Sequence, residues 1–173
     1  RIKKRILNSG AVGNTKFFSK IFNQFKNSDN ALNHYKLRTM CNNLPFVDYT
    51  NTLDHEFVGD NYPLLLQKYQ SSIAATTANY TIKYLEIPAA GCLSFMEVTD
   101  KNHANYLNFK DGENAIFINE KNYQEKFEEF LESSDNPEWE KIANSGREHV
   151  IKNFSNDVAV NSLVKLFKKI LYW

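Results

Sequence analysis

Residues 71–96 read SSIAATTANYTIKYLEIPAAGCLSFM, and the order of the segments within them is the clearest indication of the fold class. The small residues over 72–75 are typical of a buried strand whose neighbours approach closely. A polar turn leads into a helix predicted over 81–90, which Gly91 ends as a C-terminal cap would. The apolar run 92–96 predicts a second strand, of the kind found in parallel sheets covered on both faces. Strand, helix and strand therefore form the basic unit of the chain.

The segments on either side continue this alternation. Further strands are predicted over residues 5–8, 46–49 and 115–118. Further helices are predicted over residues 17–25, 31–42, 123–133, 137–154 and 156–172. Together these elements predict an α/β fold: a Rossmann-like, doubly wound parallel sheet with helices on both faces and a helical C-terminal tail. In such a sheet ligands bind at the carboxyl ends of the strands.

Apolar spacing also predicts which helix faces are buried. One further helix is expected to begin at Asp60 as its cap and to carry Leu64, Leu65 and Tyr69. In the helix over 137–154 the predicted stripe includes Ile142, Val150 and Ile151. In the last helix it consists of Val160, Leu163, Val164, Phe167 and Leu171. This last stripe is expected to pack on the domain's own surface or on another domain.

Length and composition predict one folded domain over residues 1–173. Of the 173 residues, 42% are hydrophobic and 24% charged, as in ordinary globular proteins. A net charge of +1 provides no overall field to attract nucleic acid or an acidic membrane. No apolar run approaches the about 18 residues of a spanning helix, so we expect no transmembrane segment and a cytoplasmic domain. The chain begins at Arg1 without methionine, as an excised fragment would.

The metal-binding and redox residue types show no pattern that indicates a site. Cys41 and Cys92 are far apart in the sequence, and we expect buried thiols rather than a disulfide. The histidines lack the spacing of metal ligands, so no metal site is expected; they are His34, His55, His103 and His149.

The central helix carries the residues with the clearest chemistry. Glu86 is followed by small residues, by Gly91 five positions later and then by an apolar strand, while Lys83 precedes it by three. This pattern resembles the donor-binding motif of GT-B glycosyltransferases, and it is most similar to the family 1-like group that includes the spore maturation CgeB-like proteins. Four other segments occur along the chain in the order that this resemblance requires; they cover residues 9–12, 59–62, 111–114 and 146–150.

The resemblance covers nearly the whole chain and implies a function. It implies the C-terminal half of a two-domain glycosyltransferase of hexosyltransferase type, which binds a nucleoside-diphosphate sugar. The N-terminal half, absent here, would bind a glycan or other acceptor, so the isolated domain would be inactive in transfer. It implies no cofactor and no metal, because this class stabilises the departing diphosphate electrostatically.

The resemblance implies that Glu86 accepts hydrogen bonds from both ribose hydroxyls of the donor. The residues alone leave a second interpretation open, because a lysine and a glutamate three positions apart on a helix also form ordinary surface ion pairs. Lys83 can accordingly contact a phosphate or neutralise Glu86. The predicted helix start offers unpaired amides and a partial positive charge to a diphosphate. We include Thr77, Asn79, Tyr80 and Thr81 in that donor-binding segment, and Gly91 in the motif.

Weaker candidates lie outside this helix. The loop with Gly10 follows a strand and can bring its backbone close to phosphates, and Tyr49 lies at a strand end where a base can stack. Lys16 and Lys20 follow this loop; the resemblance implies a basic residue near Lys20 that offsets charge on the leaving diphosphate, and ordinary solvated lysines are the alternative. Glu97 follows the strand after the motif and can face the donor sugar. Lys20 and Glu97 are the candidates for a catalytic role.

One departure from the family pattern keeps two other functions open. Many retaining GT-B enzymes carry a second glutamate eight positions before the ribose-binding one, and here that position is Ala78. The stereochemical outcome is therefore left open, and a non-catalytic nucleotide-binding or protein-interaction module is the main alternative. A nucleotide-sugar epimerase would need histidine and paired carboxylates near the phosphate loop, and none occurs around 76–81.

Overall fold

A computed structural model describes residues 1–13, 31–50, 57 and 59–171. The strands are β1 Ile6–Ser9, β2 Val47–Thr50, β3 Ser71–Ala74, β4 Leu93–Met96 and β5 Ile116–Phe117. The helices are α1 Ala31–His34, α2 Lys36–Cys41, α3 Tyr62–Lys68, α4 Lys83–Ala89, α5 Tyr123–Glu132, α6 Pro137–Phe154 and α7 Asn156–Leu171. The helix predicted over 17–25 lies outside the described residues.

The five strands form one parallel sheet in the order β2-β1-β3-β4-β5. The chain turns one way from β1 to β2 and the other way to β3, so the topological switch point lies between β1 and β3. This is the crevice where doubly wound sheets bind their ligands, outside the carboxyl ends of the strands. The predicted α/β fold with a helical C-terminal tail is confirmed.

Both faces of the sheet are covered, as the apolar run in β4 predicts. Alternate residues of the strands point to opposite faces, and two separate hydrophobic clusters result. On one face, the strands pack against Leu37 of α2 and Phe127 of α5; this face carries Ile6, Ile73, Leu93 and Phe95. On the other, they pack against Tyr84 and Ile87 of α4; this face carries Leu7, Ala74 and Met96.

Helix α4 ends as the glycine predicts. The amide of Gly91 donates to the carbonyl of Pro88 at 2.8 Å, and the amide of Cys92 donates to that of Ile87 at 3.2 Å. Gly91 has φ +73, in the left-handed region that favours glycine. These paired bonds form a Schellman motif, which satisfies the last carbonyls of the helix and turns the chain into β4.

Two local predictions near the start of the sheet are wrong. The helix predicted over 31–42 is divided into α1 and α2, with Tyr35 between them. The carbonyl of His34 accepts a hydrogen bond from the amide of Thr77 at 2.8 Å, and this contact with the loop after β3 accompanies the break. Asp60 does not cap a helix: it lies in a 3-10 turn, and α3 begins at Tyr62 without a side-chain cap.

Two of the predicted apolar stripes are also only partly correct. In α6, Ile142 and Val150 are buried, but Ile151 is 47% exposed. Leu64 of α3 is likewise exposed, and Tyr69 follows the end of that helix. No residue of α7 is buried among those the structure describes, and Phe167 is 53% exposed. The stripe of α7 therefore does not pack on the described surface of this domain.

Candidate functional site

Gly10, the first residue after β1, brings two cationic side chains against the backbone. It has φ +104, and its amide donates to the carbonyl of Thr50 at 2.8 Å. A Cβ atom at this position would lie 2.8 Å from Nη2 of Arg38 and 3.1 Å from Cε of Lys83. Only glycine therefore permits both cations to approach this turn, which lies at the carboxyl edge of the sheet beside the switch point.

Arg38 of α2 is a site residue that the sequence analysis missed. It is 3% exposed, its Nε donates to Oδ1 of Asn8 at 3.2 Å, and its Nη2 donates to the carbonyl of Ser9. Burial lowers the pKa of the guanidinium, which still remains charged at neutral pH. Within the described ranges, no carboxylate forms an ion pair with Arg38. Among the described residues, its hydrogen-bond acceptors are therefore neutral.

Lys83 provides the second cation from the first turn of α4. Its Nζ lies 3.4 Å from Oγ of Ser9 and 4.1 Å from the ring centroid of Tyr62. Oγ of Ser9 and the hydroxyl of Tyr62 are themselves hydrogen-bonded at 2.6 Å. Burial, with a smaller contribution from Arg38, lowers the pKa of Lys83 to about 8. Lys83 and Arg38 thus meet at one turn although their charges repel.

Glu86 lies one turn further along α4, on the same side as Lys83 and Tyr62. Burial raises the pKa of its carboxyl, and the charge of Lys83 opposes this shift. Burial raises the pKa of Tyr62 to about 12, and the charge of Glu86 adds to this shift, so the three groups share one environment. In the described part of the chain, the carboxylate of Glu86 forms no ion pair within 4.0 Å and no hydrogen bond. Its oxygens are available to a ligand.

The residues predicted to start the helix lie in the loop between β3 and α4. Helix α4 begins at Lys83 rather than at residue 81 and has seven residues, so the loop is longer than predicted. Thr77 donates its amide to His34, and Tyr80 donates its amide to the carbonyl of Asn102 at 2.7 Å. Asn79 has φ +52, and the side chain of Tyr80 is exposed. Thr81 is partly buried in the same loop.

The weaker candidates are dispersed. Tyr49 is 42% exposed near the end of β2, where it pairs in register with Asn8 and lies within electrostatic range of Arg38. Gly91 is at the far end of α4, before β4, and so lies at the opposite edge of the sheet. Lys20, with Lys16, lies outside the described residues.

Glu97 is buried just after β4, and its neighbours differ from those of Arg38 and Lys83. It is 8% exposed, and its Oε2 has no hydrogen-bond partner. Burial first, and then the charge of Glu120, raise the pKa of its carboxyl to about 7, while Lys36 opposes the shift. Its side chain therefore lies in a second polar group of residues, separate from the turn at Gly10.

A cavity of about 550 Å³ lies away from these residues. It is lined by residues near the amino edge of the sheet, including Arg1, Gln70, Gly91, Trp139 and Arg147. None of the residues around Gly10 lines it. Of the candidate residues in the described part of the chain, Gly91 lines this cavity but Arg38, Lys83 and Glu86 do not, so the cavity is separate from the turn at Gly10.

Comparison with known proteins identifies the family. A family model described as glycosyl transferase-like matches residues 26–165, most of the chain. The chain belongs to this glycosyl transferase-like family. The match includes Arg38, Lys83 and Glu86 but not the turn at Gly10. A comparison with the sequences of curated proteins gives no match.

Solved structures agree on the fold of this glycosyl transferase-like chain, which is that of a GT-B domain. A mutant of TarM from S. aureus, in complex with Fondaparinux, alpha-GlcNAc-glycerol and UDP, is similar with a TM-score of 0.57 at 12% identity. Another crystal structure of TarM gives 0.57 at 13% identity. Each comparison covers 95% of this chain but only 35% of the TarM chain. At such identities the likeness concerns the fold alone.

Two further findings concern the cysteines and the helices of this chain. Cys41 and Cys92 are both free and buried, so the expectation of thiols is confirmed. Among the described helices, none combines the length and the hydrophobicity that crossing a bilayer requires.

Proposed function

We propose that this chain is the donor-binding domain of a glycosyltransferase and binds a nucleoside-diphosphate sugar. One observation carries the proposal: two cations, the buried Arg38 and the partly buried Lys83, converge on the turn at Gly10, at the switch point of the sheet. No described carboxylate forms an ion pair with either side chain. Because buried charges are normally paired, this arrangement supports an anionic ligand.

The diphosphate is the part of the donor that suits these cations. Hydrogen bonds between cationic donors and phosphate oxygens are among the strong ones, and Arg38 and Lys83 provide such donors next to Gly10. The sequence favours the start of α4 for this role, but a seven-residue helix has a weak dipole. We therefore assign the diphosphate mainly to the two side chains, with the backbone of the turn at Gly10 close beside it.

Glu86 then provides the ribose contact. Its carboxylate lies on the same side of α4 as Lys83, is half-buried, and has no partner among the described residues. A carboxylate in that state can accept hydrogen bonds from two vicinal hydroxyls. Tyr49, exposed near the end of β2, is placed to stack on the base. The UDP in the TarM complex is a ligand with each of these parts.

Arg38 and Lys83 would act on the leaving group in the transfer reaction. The bond between the anomeric carbon and the diphosphate oxygen breaks, and its electron pair stays on the diphosphate. Arg38 and Lys83 stabilise the charge that develops there, in a site where burial strengthens the interaction. The acceptor hydroxyl forms the new bond and loses its proton. We assign that acceptor, and any base, to a further domain that covers the stripe of α7, so the chain alone binds the donor without transferring it.

Replacing Glu86 with alanine tests the proposal. In a thermal-shift panel of nucleoside diphosphates and their sugars, a ligand at about 100 times its Kd should stabilise the wild-type chain by roughly 2.7 kcal/mol. The Glu86→Ala chain should lose most of this stabilisation, because the ribose hydroxyls lose a charged acceptor. Glu128→Ala, an exposed glutamate of α5, is the matched control and should shift like the wild type. The absence of any shift in the wild type would refute donor binding.

Affinity for the diphosphate should decrease as the pH rises through about 8. The folded-state pKa of Lys83 is about 8, below the usual 10.5, so the unliganded site loses one of its two charges in this range. Between pH 7 and pH 9.5 we expect roughly a tenfold loss of affinity. Calorimetric titration of a nucleoside diphosphate across this range measures the effect. Lys83→Met should bind weakly and with no step near pH 8, and a step that persists in this variant would contradict the assignment.

A further inference from the structure

Asn102 is a fully buried residue that joins two loops at the carboxyl edge of the sheet. Its Nδ2 donates to the carbonyl of Thr76 at 2.9 Å and to that of Glu97 at 2.7 Å. Its Oδ1 accepts from the amides of Thr99 at 3.1 Å and Ala104 at 3.0 Å. The amide side chain thus uses its oxygen within its own loop and its nitrogen to reach the loop after β3.

Tyr84 of α4 completes the same network from the other side. Its hydroxyl donates to the carbonyl of Glu97 at 2.9 Å and accepts from the amide of Thr76 at 3.1 Å. Tyr84 is 0% exposed and adjacent in sequence to Lys83. The carbonyl of Asn102 also accepts from the amide of Tyr80 at 2.7 Å. The loop over 76–80 is therefore held by side chains from outside it.

Backbone strain is concentrated in these two loops. Within the described ranges, the non-glycine residues with positive φ are Asn79 at +52, His103 at +59 and Asn108 at +56. Such conformations are unfavourable for residues with a side chain and persist where surrounding contacts enforce them. Asn79 lies in the loop that Asn102 holds, and His103 is adjacent to Asn102 itself. Two of these positive-φ residues thus lie in or directly beside the network that Asn102 and Tyr84 form.

We propose that Asn102 is a positioning residue for the donor site. It fixes the loop over 76–80, and through Thr76 and Tyr84 it fixes the first turn of α4, where Lys83 and Glu86 arise. Ligand affinity depends on this because groups held in place before binding need not be ordered on binding. The inference rests on the proposed function, and it assigns Asn102 no contact with the ligand.

The substitution Asn102→Asp separates this role from the folding of its own loop. Aspartate keeps an oxygen for the amides of Thr99 and Ala104 but has no donor for the carbonyls of Thr76 and Glu97. The loop after β4 should therefore keep its contacts with the amides of Thr99 and Ala104 and lose the one with the carbonyl of Glu97, while its side-chain connection to the carbonyl of Thr76, in the loop after β3, is lost. Ile142→Val, on the buried face of α6, is the control for general destabilisation, because it removes one buried methylene without touching either loop.

The experiment combines two measurements on the same chains. With UDP as the probe, Asn102→Asp should raise the Kd at least tenfold, at a temperature where all variants are folded, and Ile142→Val should leave it within twofold. Hydrogen exchange in residues 76–81, which contain the Tyr80 amide, should become faster in Asn102→Asp only. Wild-type affinity in Asn102→Asp, or unchanged exchange there, would overturn the positioning role and leave the proposed function intact. Failure of the wild type to bind UDP or any other nucleoside diphosphate would overturn both.

Discussion

Replacing Arg38 with methionine should weaken the binding of a nucleoside diphosphate by about 100-fold or more. The buried guanidinium lies beside Gly10, where a Cβ atom would be only 2.8 Å from it. Hydrogen bonds to charged groups are each worth about 1.5–3 kcal/mol, and 2.7 kcal/mol corresponds to roughly 100-fold in affinity. Isothermal titration at low ionic strength, with the fold checked by circular dichroism, measures the effect.

Two further variants keep this prediction testable if the methionine variant folds poorly. Lys83→Met removes the second cation and should also cost at least tenfold, because each cation contacts the same anion. Arg5→Met is the matched control: Arg5 lies just before β1 and is paired with Asp48 at 2.5 Å, so it should leave the affinity within twofold. Folded Arg38 and Lys83 variants that bind like the wild type would place the diphosphate elsewhere.

Replacing Gly146 with alanine should destabilise the domain by about 2 kcal/mol. Gly146 is buried in α6, and a Cβ atom there would lie 2.5 Å from the carbonyl oxygen of Asn114 and 3.5 Å from Cβ of Pro88. The nearest atom is a backbone carbonyl oxygen, so in the alanine variant α6 must move away from α4 and from the loop before β5. Overpacking costs about 1–3 kcal/mol, and a clash with a backbone atom falls at the upper end of that range; after the gain of about 1 kcal/mol in helix propensity that alanine brings, a net loss of about 2 kcal/mol remains. Urea denaturation measures the loss.

The neighbouring substitution Asn144→Ala is the control for helix propensity. Asn144 is exposed on the same helix, so alanine should stabilise α6 by a few tenths of a kcal/mol. For a chain of 173 residues, a loss of 2 kcal/mol corresponds to a decrease in Tm on the order of 6 °C. A Gly146→Ala chain as stable as Asn144→Ala would show that α6 can move away from Asn114 without cost.

Features with local signals could be predicted from the sequence. The order of strands and helices follows from apolar runs and the turns between them, and the bounds of α6 agree at both ends because Pro137 starts it and Ser155 ends it in an extended conformation. Gly91 ends α4 as predicted, since its role depends only on neighbouring carbonyls. The spacing of Lys83 and Glu86 on one helix is also visible in the chain, but their role in donor binding comes from the resemblance to the GT-B motif and stays a prediction.

The remaining features depend on contacts between distant segments. Arg38 stands beside Leu37 and before Cys41, which are buried, but an arginine in a short helix normally reaches solvent. Its role becomes visible only when β1 brings Asn8 and Ser9 beneath it. Ile151 fits the apolar period of α6, yet its side chain is exposed. The surface of α6 that packs on the domain is narrower than the stripe of apolar residues, and Ile151 lies outside that surface. Asn102 carries no local signal at all.

Strand β1 has a consequence for how this chain folds. It is an inner strand of the sheet, between β2 and β3, and it is the first of the five strands along the chain; its pairing with β3 joins Leu7 and Ser72, which are far apart in sequence. Long-range parallel pairing of this kind forms slowly, so β1 lacks both partners until β2 and β3 have been made. Half of the strand is polar, since Asn8 and Ser9 follow Ile6 and Leu7. The same two residues that later hold the cations thus keep the nascent segment from becoming a fully apolar, aggregation-prone edge.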